Sequence, residues 1–189
     1  AKPTLVLTLS SLCLSSSAQL RADDQALFFD QTGYRIDRFR AAVPESVDGA
    51  KTIDTHEAKR LLTADGDLVP ILIDVLPTPP RPSGLSERTL WLPPAHRSIP
   101  HTAWLPNVGY GRISDELDAY FRDNLQRLTE GNKNRPVIVF CQADCWMSWN
   151  AARRAVEYGH QAVYWYPDGT TGWEAEGLSL EAIEPVPMD

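Results

Sequence analysis

Apolar runs alternate with amphipathic stretches along most of this chain. Val137-Ile138-Val139-Phe140 is apolar without interruption, which reads as a strand buried on both faces. Beyond Trp146, Ala151, Ala152, Ala155 and Val156 share one side while Arg153, Arg154 and Glu157 take others. That spacing predicts a helix within Met147 to His160, with Gly159 as its left-handed C-terminal cap. A second apolar run, Val69 to Leu76, predicts another strand with Asp74 at its end, where a carboxylate more often caps a turn than acts as a base. Ala162 to Tyr166 predicts a third. Leu117, Phe121, Leu125 and Leu128 recur at helical spacing behind Ser114 as N-cap, with Asp115 and Glu116 in the first turn. Asp54 and Glu57 form a capping-box pattern ahead of Ala58, Leu61 and Leu62, and Asp65-Gly66-Asp67 ends that helix. His56 reads as a solvated first-turn residue. A short helix at Gly172-Trp173-Glu174 and a proline-marked tail follow the last strand. Strands alternating with helices imply an α/β fold, a mostly parallel sheet covered on both faces.

Two stretches break the pattern. Residues 70–106 hold nine of the fifteen prolines, so a long loop with little helix or strand is expected, long enough to cover a site. It carries Trp91, Trp104, His96 and His101, with a short strand expected near its end, between Ile99 and Pro106. Tyr34 and Ile36 alternate with Arg35 and Asp37, which hints at an edge strand or hairpin on the domain surface.

Residues 1–18 differ from the rest. Lys2 precedes the apolar run Leu5 to Leu14, and Ser16-Ser17-Ala18 supplies small residues, the pattern of a secretory signal peptide. Cleavage after Ala18 is expected to leave a chain starting near Gln19. The loss of Lys2 leaves 17 basic against 25 acidic side chains, a net charge of −8. Such an acidic chain excludes nucleic acid as a partner, and no later stretch is long and apolar enough to span a membrane. The expected organisation is a signal peptide over 1–18, an extension packed on the domain over 19–49, and one domain over 50–189. The expected location is periplasmic.

Signal removal also takes Cys13 away, leaving Cys141 and Cys145. Both fall in the loop between the apolar strand and its helix, at its first and fifth positions. A loop feeding a helix N-terminus turns N–H groups and the positive dipole end towards what it encircles. A thiol there is expected to ionise readily, and thiolate is the reactive form. Three readings stand open. Cys141 attacks a sulfur compound or disulfide and Cys145 resolves the adduct by closing a Cys141–Cys145 disulfide, which the spacing permits. Alternatively the pair binds a redox cofactor or a soft metal such as Cu(I) between Trp146 and Trp149, with only His96 and His101 to extend the ligand set. Thirdly, a structural disulfide stabilises a non-catalytic scaffold, although so small a ring is worth about 2 kcal/mol or less.

The ordered elements resemble a rhodanese-like domain across residues 50–185. The match runs through Leu72-Ile73-Asp74-Val75, Ser98-Ile99-Pro100 to Pro106, Val137 to Cys141 with its loop and helix, Gly159, Val163-Tyr164, and Asp168-Gly169 to Trp173 and Gly177. The resemblance implies a three-layer α/β/α domain, and it places Cys141 where rhodanese sulfurtransferases carry their persulfide. The paired cysteines followed by Trp146 are similar to the PQQ-dependent catabolism-associated CXXCW motif proteins. These are exported and accompany periplasmic alcohol oxidation by pyrroloquinoline quinone enzymes. That implies a small sulfur compound, a periplasmic redox protein or components of the alcohol oxidation system as partners. Two features depart from the family: His101-Thr102 after Ile99-Pro100, and a loop of Gln142, Ala143, Asp144 and Trp146 that offers a carboxylate where many relatives offer a cation. Weak thiosulfate chemistry is the expectation.

Overall fold

Five short parallel strands carry the fold in the computed structural model, which describes residues 27–64, 69–86, 88–92 and 94–188. They are β1 (Lys51–Thr52), β2 (Ile71–Asp74), β4 (Ala103–Trp104), β5 (Val137–Phe140) and β6 (Val163–Tyr166), in the spatial order β1-β6-β5-β2-β4. β5 lies at the centre, pairing Val137 to Phe140 with Ile71 to Asp74 on one side and Val163 to Tyr166 on the other. A central parallel strand buries both faces, and all four β5 side chains have no exposed surface. Val137 and Val139 join one core and Ile138 and Phe140 the other, each contributing about 1.5–3 kcal/mol of hydrophobic burial.

Two pairs of helices complete the layers. Helix α2 (Asp115–Leu128) and α3 (Trp146–Glu157) send Phe121, Leu125, Ala151, Ala152 and Ala155 onto Ile73, Val139 and Trp165. Helix α1 (Thr55–Thr63) and α4 (Gly169–Ala175) pack Ala58 and Trp173 against Leu72, Phe140 and Tyr166 on the opposite face. The caps follow the sequence: Ser114 accepts the Leu117 N–H and Asp54 the Glu57 N–H. The capping box is only half formed, because Glu57 turns its carboxylate to Arg60 and Lys51. Gly159 ends α3 at φ +89, and the His160 N–H reaches back to the Ala155 carbonyl, the closing bond of a left-handed cap. His56 is exposed in the first turn of α1. The expected stop at Asp65-Gly66-Asp67 and the expected signal peptide lie outside the described residues.

The loop expected over residues 70–106 needs correction. Besides the expected β2 and the expected short strand near its end, which is β4, the proline-rich stretch contains β3 (His96–Ser98), which pairs antiparallel with β7 (Glu181–Ile183) of the tail. Prolines flank these short strands without breaking them. Of the edge strand or hairpin expected around Tyr34 to Asp37, a small hairpin forms: Phe29 and Arg35 bridge antiparallel, and the Ile36 N–H donates to the Phe28 carbonyl at 2.8 Å. This N-terminal segment runs along α3: Tyr34 donates to Glu157, Arg153 to the Gly33 and Thr32 carbonyls, and Trp149 to the Ser46 carbonyl.

Candidate active site

The loop between β5 and α3 spans Cys141 to Cys145, one residue shorter than the spacing suggests, with Cys145 the N-cap of α3. Its first half is fixed from the sheet side. The Cys141 carbonyl accepts the Thr170 N–H at 2.9 Å and the Thr170 hydroxyl at 3.2 Å, and Gln142 bridges to Gly169. Gly169 sits at φ +51, and a Cβ there would stand 2.3 Å from the Cys141 carbonyl oxygen, so only glycine permits this approach. The Ala143 N–H donates to the Thr171 hydroxyl at 3.2 Å.

The second half is held by residues 39–42. Arg40 and Cys145 form an antiparallel bridge. The Ala41 N–H donates to the Asp144 carbonyl at 3.1 Å and the Trp146 N–H to the Phe39 carbonyl at 2.9 Å. The Trp146 indole donates to the Ala42 carbonyl at 3.1 Å. Arg35 lies 4.7 Å over the Trp146 ring, and Phe29 and Trp149 meet that ring edge-on. The cover over the site is therefore this N-terminal segment rather than the expected proline-rich loop. The Ala143 and Trp146 N–H groups are already engaged, which leaves fewer of the loop's donors for an anion.

Both cysteines are free thiols and both are buried, at 1% and 2% exposure. Burial pushes the Cys141 thiol well up, and its hydrogen bond to Cys145 and the like charge of that neighbour add to the effect. The Ser148 hydroxyl works the other way. Cys145 is pulled down, first by the Cys141 hydrogen bond, then by the Met147 N–H and by Arg40, against its own desolvation. It makes no formed side-chain capping bond, yet it faces the positive end of a 12-residue helix and a guanidinium. The expectation that Cys141 is the more readily ionised thiol is not met: burial raises Cys141, while its thiol neighbour, the Met147 N–H and Arg40 lower Cys145.

Arg40 also overturns the view that the loop lacks a cation. Its Nη1 donates to the Ala143 carbonyl at 2.7 Å, from 103 residues away in sequence, and no spacing in the chain signals it. Asp144 is exposed in a left-handed turn at φ +52, a conformation short polar side chains tolerate. Gln142 and Ala143 are half-buried at the loop's sheet side.

Asp74 does cap a turn, accepting the Leu76 N–H at 2.8 Å. Its other oxygen accepts the Ser98 hydroxyl at 2.6 Å and meets His96 Nε2 at 2.7 Å. The His96 ring packs 4.4 Å from Trp104. His96 joins β2, β3 and β4, away from the thiol pair's ligand set, whereas His101 is exposed and its backbone N–H bonds Glu181. Among the described residues no three His, Cys, Asp or Glu side chains cluster to hold a metal. The thiol pair alone would have to bind any soft ion, and it does not complete a zinc set.

A three-layer α/β/α domain with a cysteine at the carboxyl end of its central strand is a rhodanese-like arrangement. The rhodanese-like domain model matches residues 54–176, and the chain belongs to that family. Thiosulfate sulfurtransferases GlpE of Actinobacillus pleuropneumoniae, from serotypes 5b and 3, are each 36% identical over 77 residues. Those residues are 41% of this chain and span 57% of the length of each relative. Among solved structures, a polysulfide-sulfur transferase homodimer from Wolinella succinogenes is 18% identical with a TM-score of 0.44, over 91% of this chain and 93% of that one. A single-domain sulfurtransferase from Saccharomyces cerevisiae is 18% identical with a TM-score of 0.40, over 71% and 95%. Rhodanese-like membership agrees with the rhodanese-like part of the resemblance read from the sequence.

Proposed function

We propose that this chain is an exported, periplasmic rhodanese-like thiol protein that takes sulfane sulfur from a small sulfur compound at the Cys141–Cys145 pair. The observation that carries this reading is two free, adjacent thiols of opposed acidity in one loop between a buried strand and a helix. A thiolate of the pair attacks the outer sulfur of a persulfide, polysulfide or thiosulfate. The donor's S–S bond breaks, its electron pair leaves with the thiolate or sulfite, and a cysteine persulfide forms. The second thiol attacks the cysteine sulfur of that persulfide. Hydrosulfide leaves with the second thiol's proton as Cys141–Cys145 closes, so the sulfane sulfur is reduced and two thiols are oxidised. A dithiol protein of the periplasm would reopen the disulfide. The activity named for the Actinobacillus relatives supports sulfur transfer. The Cys145-Trp146 motif supports the finer assignment to the PQQ-dependent catabolism-associated proteins, acting beside alcohol oxidation, and the composition of residues 1–18 supports export.

The burial of both thiols favours a second reading, a non-catalytic scaffold whose pair closes as a structural disulfide. One experiment separates the two. Reduced protein mixed with polysulfide is expected to release one hydrosulfide for every two thiols lost, under many turnovers when a dithiol is supplied. Loss of thiols without hydrosulfide would leave only the scaffold.

A further inference from the structure

The N-terminal segment does more than cover the loop, because it brings a charge that the rhodanese-like domain itself does not place there. We propose that Arg40 is the anion-recruiting cation of this site and directs an anionic sulfane-sulfur donor onto Cys145, with Cys141 as the resolving thiol. The proposal rests on the sulfur-transfer reading above and reverses the order of the two cysteines that the family position implies.

Arg40 is fixed beside the thiols from two directions. Its backbone is bridged to Cys145, and its Nη1 is tied to the Ala143 carbonyl at 2.7 Å. Apart from its interaction with the Cys145 thiol, that is the side-chain hydrogen bond Arg40 makes among the described residues, and the residue is exposed. A guanidinium has five N–H donors in a planar fork, so most of them remain for a thiosulfate oxygen or a polysulfide chain. The neighbouring arginines are held by other contacts, although the buried Nη1 of Arg35 has no hydrogen-bond partner. Arg35 serves the Asp37 and Arg38 carbonyls and lies over Phe28, Phe29 and Trp146. Arg153 holds Glu157 and the Gly33 and Thr32 carbonyls, and Arg154 the Val108, Tyr110 and Gly111 carbonyls. A donor anion held at Arg40 stands at the Cys145 end of the loop, and it reaches the buried thiol when residues 39–42 part from the loop.

The groups around the two sulfurs favour the same order. Cys145 is at the start of α3, faced by Arg40, the Met147 N–H and the Cys141 thiol. Cys141 is faced by Cys145, by the Ser148 hydroxyl and, from β2, by the buried carboxylate of Asp74. Asp144, next to Cys145, is exposed to water and screened. In the resulting step the Cys145 thiolate takes the outer sulfur of thiosulfate and sulfite leaves with the electron pair. Cys141 then passes its proton to the terminal sulfur of the persulfide, its thiolate attacks the Cys145 sulfur, and hydrosulfide leaves as the disulfide closes. No additional base is required.

The test uses the full chain and its Cys141→Ser, Cys145→Ser, Arg40→Gln and Arg40→Lys variants, with thiosulfate and polysulfide as probes. Site-resolved mass measurement is expected to find one added sulfur on Cys145 in Cys141→Ser and little on Cys141 in Cys145→Ser. Arg40→Gln is expected to raise the KM for thiosulfate about tenfold, the scale of one charge-assisted contact, and to move the alkylation midpoint of Cys145 to higher pH. Arg40→Lys should recover most of both, which a merely structural role would not do. Added sulfur confined to Cys141 in Cys145→Ser, with Arg40→Gln unchanged in KM and midpoint, would overturn this inference and leave sulfur transfer standing. No added sulfur in either cysteine variant and no hydrosulfide from the parent protein would overturn the underlying reading itself.

Discussion

The two ends of the cysteine loop are held by different parts of the chain. The Cys141 end belongs to the domain: β5 delivers it, the Thr170 N–H and hydroxyl grip its carbonyl, and Gly169 lets α4 come close. The Cys145 end is gripped by residues 39–42, which lie outside the matched family region of 54–176. At the first end the neighbours are apolar core and a carboxylate, and burial keeps the thiol protonated. At the second they are a helix N-terminus and a guanidinium, and the thiol is acidified. The same residue type therefore differs in chemistry four residues apart: the strand end buries one thiol, while the Cys141 thiol, the Met147 N–H and, from the added segment, Arg40 act on the other.

The largest expected effect breaks the scaffold end. Gly169→Val would put a branched side chain against the Cys141 carbonyl at a position with φ +51. Strain and overpacking together are expected to cost about 3 kcal/mol or more, read as a lower urea midpoint with an unchanged slope. A loss under about 1 kcal/mol would mean that α4 can withdraw and that this end is not rigid.

A middle-sized effect loosens the other end. Trp146→Phe keeps a ring for Arg35 and Phe29 but removes the indole bond to the Ala42 carbonyl. A loss of about 1–2 kcal/mol is expected from the unpaired carbonyl and smaller ring. The sharper measurement is alkylation of Cys145 by a neutral reagent, expected to be several times faster as residues 39–42 part from the loop more often. A rate unchanged in this variant would show that access to the thiol does not run past that segment.

The contrast also separates what was legible in the sequence from what was not. Val137 to Phe140, the Leu117 to Leu128 stripe and Gly159 declare themselves by periodicity and by local backbone need, so the sheet, its helices and the position of both cysteines were readable. Asp74 as a cap was readable for the same reason. The grip of Arg40 on Ala143 and the pairing of His96 with Asp74 join residues far apart in sequence. Neither obeys a period of two or of 3.6, and His96 sits among prolines that predict only loop. The acidity order of the thiols was hidden for a different reason. It depends on burial and on which charges pack nearby, and the rule that a loop before a helix acidifies its thiol names the wrong cysteine when that thiol is the strand's last buried residue. Aromatic and arginine residues from Phe28 to Arg40 were the available signal, a cluster too rich in ring and cation for an ordinary exposed tail.

The smallest expected effect comes from Asp144, whose carboxylate sits in sequence between the two environments. It is exposed, so its repulsion of the Cys145 thiolate is weakened by water and by salt. Asparagine accepts the same left-handed backbone at φ +52 and removes the charge. Asp144→Asn is therefore expected to leave stability unchanged and to lower the Cys145 alkylation midpoint by only a few tenths of a pH unit, as a screened surface charge does. Asp144→Arg is expected to improve thiosulfate turnover by about two- to fivefold at low salt, with a stability cost of about 1 kcal/mol for the left-handed turn. The gain is small because Arg40 already offers a cation, and the proof lies in combination. In an Arg40→Gln background the same Asp144→Arg substitution should help considerably more, since it then supplies the missing charge. Equal gains in both backgrounds, measured at the same ionic strength, would show that Arg40 does not meet the donor.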